Sequence, residues 1–214
     1  MSTRNYVVLS EDLSITDRQK YRLKAMAAGI AACFDNNIGV WNPKEIPAVN
    51  GVKPSTQDVV NFLTNSGGEP PASIDIREFQ PILDAGTAAG FDQWLTAALA
   101  AVGGEYSIFA AIAVPAIALR TRKLVVWYGV QVESVPLTVS RLNFRRTVAA
   151  GTITAQFDLE QLATGQKQDG YFSSPQIWLP SMPYAINVIS RVIAPAARVI
   201  PHNFVFEPAG TVSA

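Results

Sequence analysis

Past the Gly103-Gly104 pair the chain changes texture, and that change limits its fold more than any other feature. Upstream, apolar residues recur at helical spacing. Downstream, short runs rich in Val, Ile, Thr and aromatic residues alternate with Gly and Pro, as strands and turns do. Residues 123–132 (KLVVWYGVQV) and 137–144 read as strands. Residues 152–159 alternate through Ile153, Ala155, Phe157 and Leu159. Further strands are expected at 171–179, 184–192 and 198–206, with one or two more in 106–119. Seven or eight strands in about 100 residues predict an antiparallel sandwich. Pro115, Pro136, Pro175, Pro180, Pro183, Pro195 and Pro201 then belong at strand ends, edges or bulges.

Before that boundary the signals are helical. Ser14, with Asp17 three residues on, starts a first helix in the manner of a capping box. Leu23, Met26, Ala27, Ile30, Cys33 and Phe34 supply its apolar face. Arg18, Lys20, Arg22 and Lys24 crowd its first half, as a solvated face or as one that meets an acidic partner. Residues 42–54, with three prolines and Gly51, read as an extended loop. Ser55 and Asp58 cap a short second helix with Val59, Phe62 and Leu63 inward, and 66–71 breaks the chain. A third helix is expected over 87–102, where Phe91, Trp94, Leu95, Leu99 and Val102 form a stripe ending at Gly103-Gly104. Pro81 leaves 74–83 open between helix and strand. The expected fold is α+β, a mainly helical region over 1–104 packed with a β-sandwich region over 105–214, compatible with one domain.

Charge excludes several classes. Lys+Arg and Asp+Glu both number 17, charged residues make up 16%, hydrophobic ones 49%, and the mean hydropathy is +0.17. A disordered chain and a strongly basic nucleic-acid binder are both excluded. One Cys and one His exclude a disulfide scaffold and most zinc sites. The neutral total hides two biased halves: 8 basic against 12 acidic side chains over 1–119, and 9 against 5 over 120–214. Such halves favour packing on each other, or head-to-tail packing of copies. No secretory signal is read at the N-terminus. The apolar stretch 106–119 has 14 residues, short of the roughly 20 of a membrane span, so a buried element is favoured and peripheral membrane contact stays open.

Catalytic motifs are not found. His202 lies in an expected strand, Cys33 on an apolar helix face, and no GxSxG, GxxxxGK[ST] or GxGxxG occurs. The carboxylate pairs Asp75/Glu78 and Asp158/Glu160 read as solvated acids, and no EF-hand pattern is present. The chain is expected to be no enzyme, with no cofactor, no metal and no small-molecule substrate. Arg141, Arg145 and Arg146 follow Arg120, Arg122 and Lys123, near Trp127, Tyr128 and Phe144. Such a cluster suits a rim of subunit contacts, with solvated strand ends and single-stranded nucleic acid as less favoured readings. The tail after Phe204 and Phe206 reads as an arm docked on a neighbour or as disorder.

The strand series 123–132, 137–144 and 152–159, the Pro-rich run 175–183 and the strand near 204–208 resemble the coat domains of icosahedral viruses and tailless phages. The resemblance covers roughly 105–210. The N-terminal helices depart from a minimal jelly roll, and no Arg-rich N-terminal arm is present to bind a genome. The resemblance implies a jelly-roll-like sandwich and a subunit that self-assembles into a virion in the host cytoplasm. Its partners would be copies of itself and other particle proteins, with nucleic acid not favoured. The expected contact residues are Trp127, Arg141, Arg145, Arg146, Trp178 and Phe206. The alternative is a non-catalytic binding module that recognises a carbohydrate or protein partner through Trp178, Tyr184 and Trp127 on an exposed face. An enzyme would instead need a deep pocket near His202 or Asp158.

Overall fold

The computed structural model describes residues 5–80, 84, 94–109, 117–133, 137–146, 151–164 and 168–211. Its elements in chain order are β1 (Asn5–Leu9), α1 (Ile15–Asp35), α2 (Thr56–Asn65), β2 (Ile74–Arg77), β3 (Glu105–Ser107), β4 (Ile117–Ala118), β5 (Leu124–Glu133), β6 (Val139–Arg146), β7 (Ile153–Asp158), β8 (Asp169–Trp178), β9 (Pro183–Ser190) and β10 (Arg198–Pro208). The fold is mixed α+β, with two α-helices and one large curled sheet among the described residues.

Local chemistry sets both helices. The Ser14 hydroxyl accepts the Asp17 N–H at 3.1 Å, and Ser55 and Asp58 form a full capping box. Each cap satisfies backbone donors that the first helical turn leaves free. Asn37, at φ 58°, turns the chain after α1. From α1, Ala27, Ile30, Cys33 and Phe34 are buried, together with Val59 and Leu63 of α2. They meet Leu124, Val126, Phe204 and Phe206 on one face of β5 and β10.

The sheet runs β2-β10-β5-β8-β1-β7-β6-β9-β3, with β4 also on β9. Among the described residues every pairing is antiparallel except one: β1 lies parallel to β7 through Asn5 and Tyr6, then turns antiparallel to β8 through Val7, Val8 and Leu9. This five-residue strand joins the two arms of the sheet. The sequence predicts no strand there, because Asn5–Leu9 is short and its partners lie more than 150 residues away.

The second core draws on both arms. Val125, Trp127, Val130 and Val132 of β5 meet Leu142 and Phe144 of β6, Phe157 of β7 and Ile186 and Val188 of β9. The step from Trp127 to Val130 breaks the two-residue period because Tyr128 is an extra residue opposite β10. At that bulge a Cβ on Gly129 would fall 2.6 Å from the Gly170 carbonyl, so only glycine fits.

One expected element is overturned. Instead of a third helix, residues 94–100 run extended, with bridges Leu95↔Arg198 and Leu99↔Ala194. The backbone groups that a helix would pair internally pair instead with the approach to β10, and Val102 is 68% exposed rather than on a buried stripe. Residues 87–93, with Phe91, lie outside the described residues, as do Pro115 and Pro136. Of the ambiguous segment 74–83, Ile74–Arg77 forms β2, an edge strand paired with β10, while 81–83 lie outside the described residues.

Candidate assembly surface

The expected contact residues separate by burial. Trp127 is fully buried, edge-on to Trp178 at 4.8 Å, and Trp178 stacks on Tyr184 at 4.6 Å. Phe206 lies in the helix-side core beneath Gly29 of α1. These three aromatic residues therefore belong to the interior and leave no side-chain surface for a neighbour. The exposed platform of Trp178, Tyr184 and Trp127 is corrected for the same reason: inward positions on the strands place all three rings in the core.

The basic cluster disperses as well. Arg145 donates Nε and Nη2 to Glu105, each at 2.7 Å, and Nη1 to the Gly151 carbonyl. Its guanidinium holds the Glu105 carboxyl below the usual range, aided by the Asn187 and Asn143 amides against burial. Lys123 is buried and bonds Asp84 at 3.0 Å and Glu207 at 3.1 Å, while Arg77 bonds both of the same carboxylates. Arg120, Arg122, Arg141 and Arg146 stay exposed. Arg141 and Arg146 stand about 17 Å apart along β6, too far to act as one anion site. The oppositely biased halves are tied together by Asp84–Lys123, Arg77–Glu207 and Glu105–Arg145.

The candidate catalytic residues do not converge. Cys33 is fully buried on the helix side, and burial pushes its thiol up. His202 Nε2 lies 2.6 Å from Asp169 Oδ1. Asp158 accepts the Glu160 N–H, and Asp75 accepts the Gly210 N–H. No group of three or more His, Cys, Asp and Glu suited to a metal occurs among the described residues. No helix among them is long and apolar enough to cross a membrane.

The surface that stands out was missed by sequence reading. Residues 94–103 and 190–198 form a two-stranded rib. It is held by Leu99 N–H to the Ala194 carbonyl at 2.9 Å, Ala194 N–H to Leu99 at 3.1 Å, and Gly103 N–H to Ser190 at 2.9 Å. Leu99 and Ala197 anchor it in the core. Val102 at 68% exposure, Ile193 at 70% and Val192 at 39% lie along it. Ala97, Ala98, Ala100, Ala101, Pro195 and Ala196 are exposed beside them. Arg191 and Arg198 are its charged residues, and Arg198 pairs with Glu133 at 3.1 Å. Its signal in the sequence is two charge-free, Ala-rich runs, 94–102 and 192–197, but the helical spacing of Trp94, Leu95 and Leu99 predicts a buried helix face for the first. Water gains by releasing such a surface onto a matching one, and contiguous exposed apolar area marks interaction sites.

Comparison with known protein families, curated proteins and solved structures found no match for the chain.

Proposed function

We propose that this protein is a structural subunit that self-assembles into a symmetric particle of the viral or phage type, with its curled sheet as a jelly-roll-like sandwich. The observation that carries the reading is the apolar rib of Val102, Val192 and Ile193, exposed on a backbone that long-range hydrogen bonds hold in place. A closed particle repeats one contact by symmetry, so a modest apolar patch on each copy is multiplied into a cooperative assembly. Zero net charge supports this, because copies do not repel. The partners are copies of the same chain and other particle proteins, and the site of action is the virion. A binding module is the second reading, and its expected platform of Trp127, Trp178 and Tyr184 is buried.

Light scattering coupled to gel filtration, followed by electron microscopy of the purified protein, tests the proposal. Large symmetric particles are expected. Monomer alone, across salt and protein concentration, would overturn it.

A further inference from the structure

A second feature lies away from the rib. Between one flank of α1 and the sheet residues of β1, β5 and β8 opens a cleft of about 450 Å³, within the size range of small-ligand sites. Tyr6, Tyr21 and Tyr128 line it, one from each of three elements. The Tyr21 and Tyr128 rings are held by neighbours rather than free to collapse. Tyr21 stacks on Tyr171 at 5.4 Å, and Tyr128 stacks on Phe204 at 4.8 Å and on Tyr171 at 6.2 Å. The Tyr6 backbone is fixed by its N–H to Ser173 Oγ at 3.1 Å, yet its side chain is 52% exposed at the mouth. A rigid aromatic wall binds without the entropy cost of ordering itself.

The charged groups of the cleft are Asp17, Lys20 and Lys24, all on α1. Asp17 accepts the Ser14 hydroxyl at 2.6 Å and the Lys20 ammonium at 2.9 Å, so its carboxylate is fixed in place. Lys24, two turns on, has no hydrogen-bond or ion-pair partner among the described residues. Seven residues of α-helix separate the two by about 10 Å. With Asp17 and Lys20 paired to each other, Lys24 is the unpaired charge of the cleft among the described residues, whereas single-strand binders use a continuous basic groove. An oligosaccharide can span both Asp17 and Lys24. Its apolar face packs on tyrosine, its hydroxyls donate to Asp17, and an acidic substituent reaches Lys24.

We infer that this cleft is a binding site for an acidic oligosaccharide, one that carries a carboxylate on a pyranose ring. The inference goes beyond the assembly reading and does not depend on it, because none of the rib residues line the cleft.

Saturation-transfer NMR on the full chain, with 3′-sialyllactose as probe and lactose as its neutral counterpart, tests the site. Transfer to 3′-sialyllactose is expected, with lactose bound roughly tenfold more weakly. Tyr6→Ala and Lys24→Gln each replace an exposed side chain, so both variants should keep the wild-type thermal midpoint while binding of 3′-sialyllactose falls roughly five- to tenfold. Four outcomes would overturn the inference: no transfer to either sugar, equal binding of both, undiminished binding in both variants, or binding of a ten-residue oligothymidylate in place of the sugars. Particle formation is read separately by scattering, so failure of one proposal leaves the other standing.

Discussion

The imidazole Nε2 of His202 lies 2.6 Å from Oδ1 of Asp169, joining β10 to β8 across β5, which lies between them. Burial pushes the Asp169 carboxyl up, but the hydrogen bond and charge of His202, a Ser10 hydrogen bond and the charge of Arg18 outweigh it and hold the group below its ordinary 3.8. A depressed carboxyl stabilises the fold above its unfolded value, and that contribution fades as pH falls through the folded value. Asp169→Asn should therefore cost about 2 kcal/mol near neutrality. The gap to wild type should close below the ordinary 3.8 in urea titrations run across acid pH. A gap that stays constant down to acid would contradict this role.

Lys123, Arg77, Asp84 and Glu207 form a four-membered ionic cluster with both carboxylates buried. Burial pushes Asp84 up, and Arg77, the Gln80 N–H and Lys123 together hold it down. Lys123→Met leaves two interior carboxylates to one guanidinium and should cost about 3–5 kcal/mol in urea unfolding. Adding Glu207→Gln should recover part of that loss, because the two changes share one network.

Gly29 of α1 sits against the Phe206 ring, and an added Cβ would overlap the outer edge of that ring. Alanine ordinarily stabilises a helix relative to glycine by roughly 1 kcal/mol. Here Gly29→Ala should instead destabilise by about 1–3 kcal/mol, measured as a fall in thermal midpoint. Phe206→Leu should lower the cost of that change when the two are combined.

Val102→Lys and Ile193→Asp place charge on the exposed rib. On the proposed assembly through the rib, each should raise the concentration needed for assembly at least tenfold, a shift of roughly 1.4 kcal/mol per contact. Stability of the isolated chain should change by no more than about 0.5 kcal/mol, since neither side chain is buried within it. Assembly unchanged in both variants would move the contact surface elsewhere.

Cys33 is fully out of solvent and its thiol is pushed up by burial. A thiol-specific disulfide reagent should label the native protein only as fast as the helix-side core opens, and at once in urea. Fast native labelling would show that α1 is not seated on β5 and β10.

Much of the fold was legible because its signals are local. Ser14–Asp17 and Ser55–Asp58 are caps readable within four residues, and both helices start where those caps stand. The alternation Ile153, Ala155, Phe157 and the apolar run 124–127 marked β7 and β5 for the same reason. Residues 94–102 misled because Trp94, Leu95 and Leu99 satisfy helical spacing, while the deciding partners, Ala194 and Arg198, are about 100 residues away. The site was harder still. Trp127, Trp178 and Phe206 are the large aromatics an interface favours, and a core favours them equally, so only burial distinguishes the two.

By itself the sequence determined the helices' beginnings, the strand-rich second half and the balance of charge between two biased halves, all properties of neighbouring residues or of composition. Tertiary structure decided the rest: that β1 joins two arms of one sheet, that Lys123 and Arg145 face buried or half-buried carboxylates, and that an apolar rib faces solvent. Caps and alternation are satisfied by bonds within a few residues. Pairing across a hundred residues, and which side of a strand meets the core, depend on the closed chain.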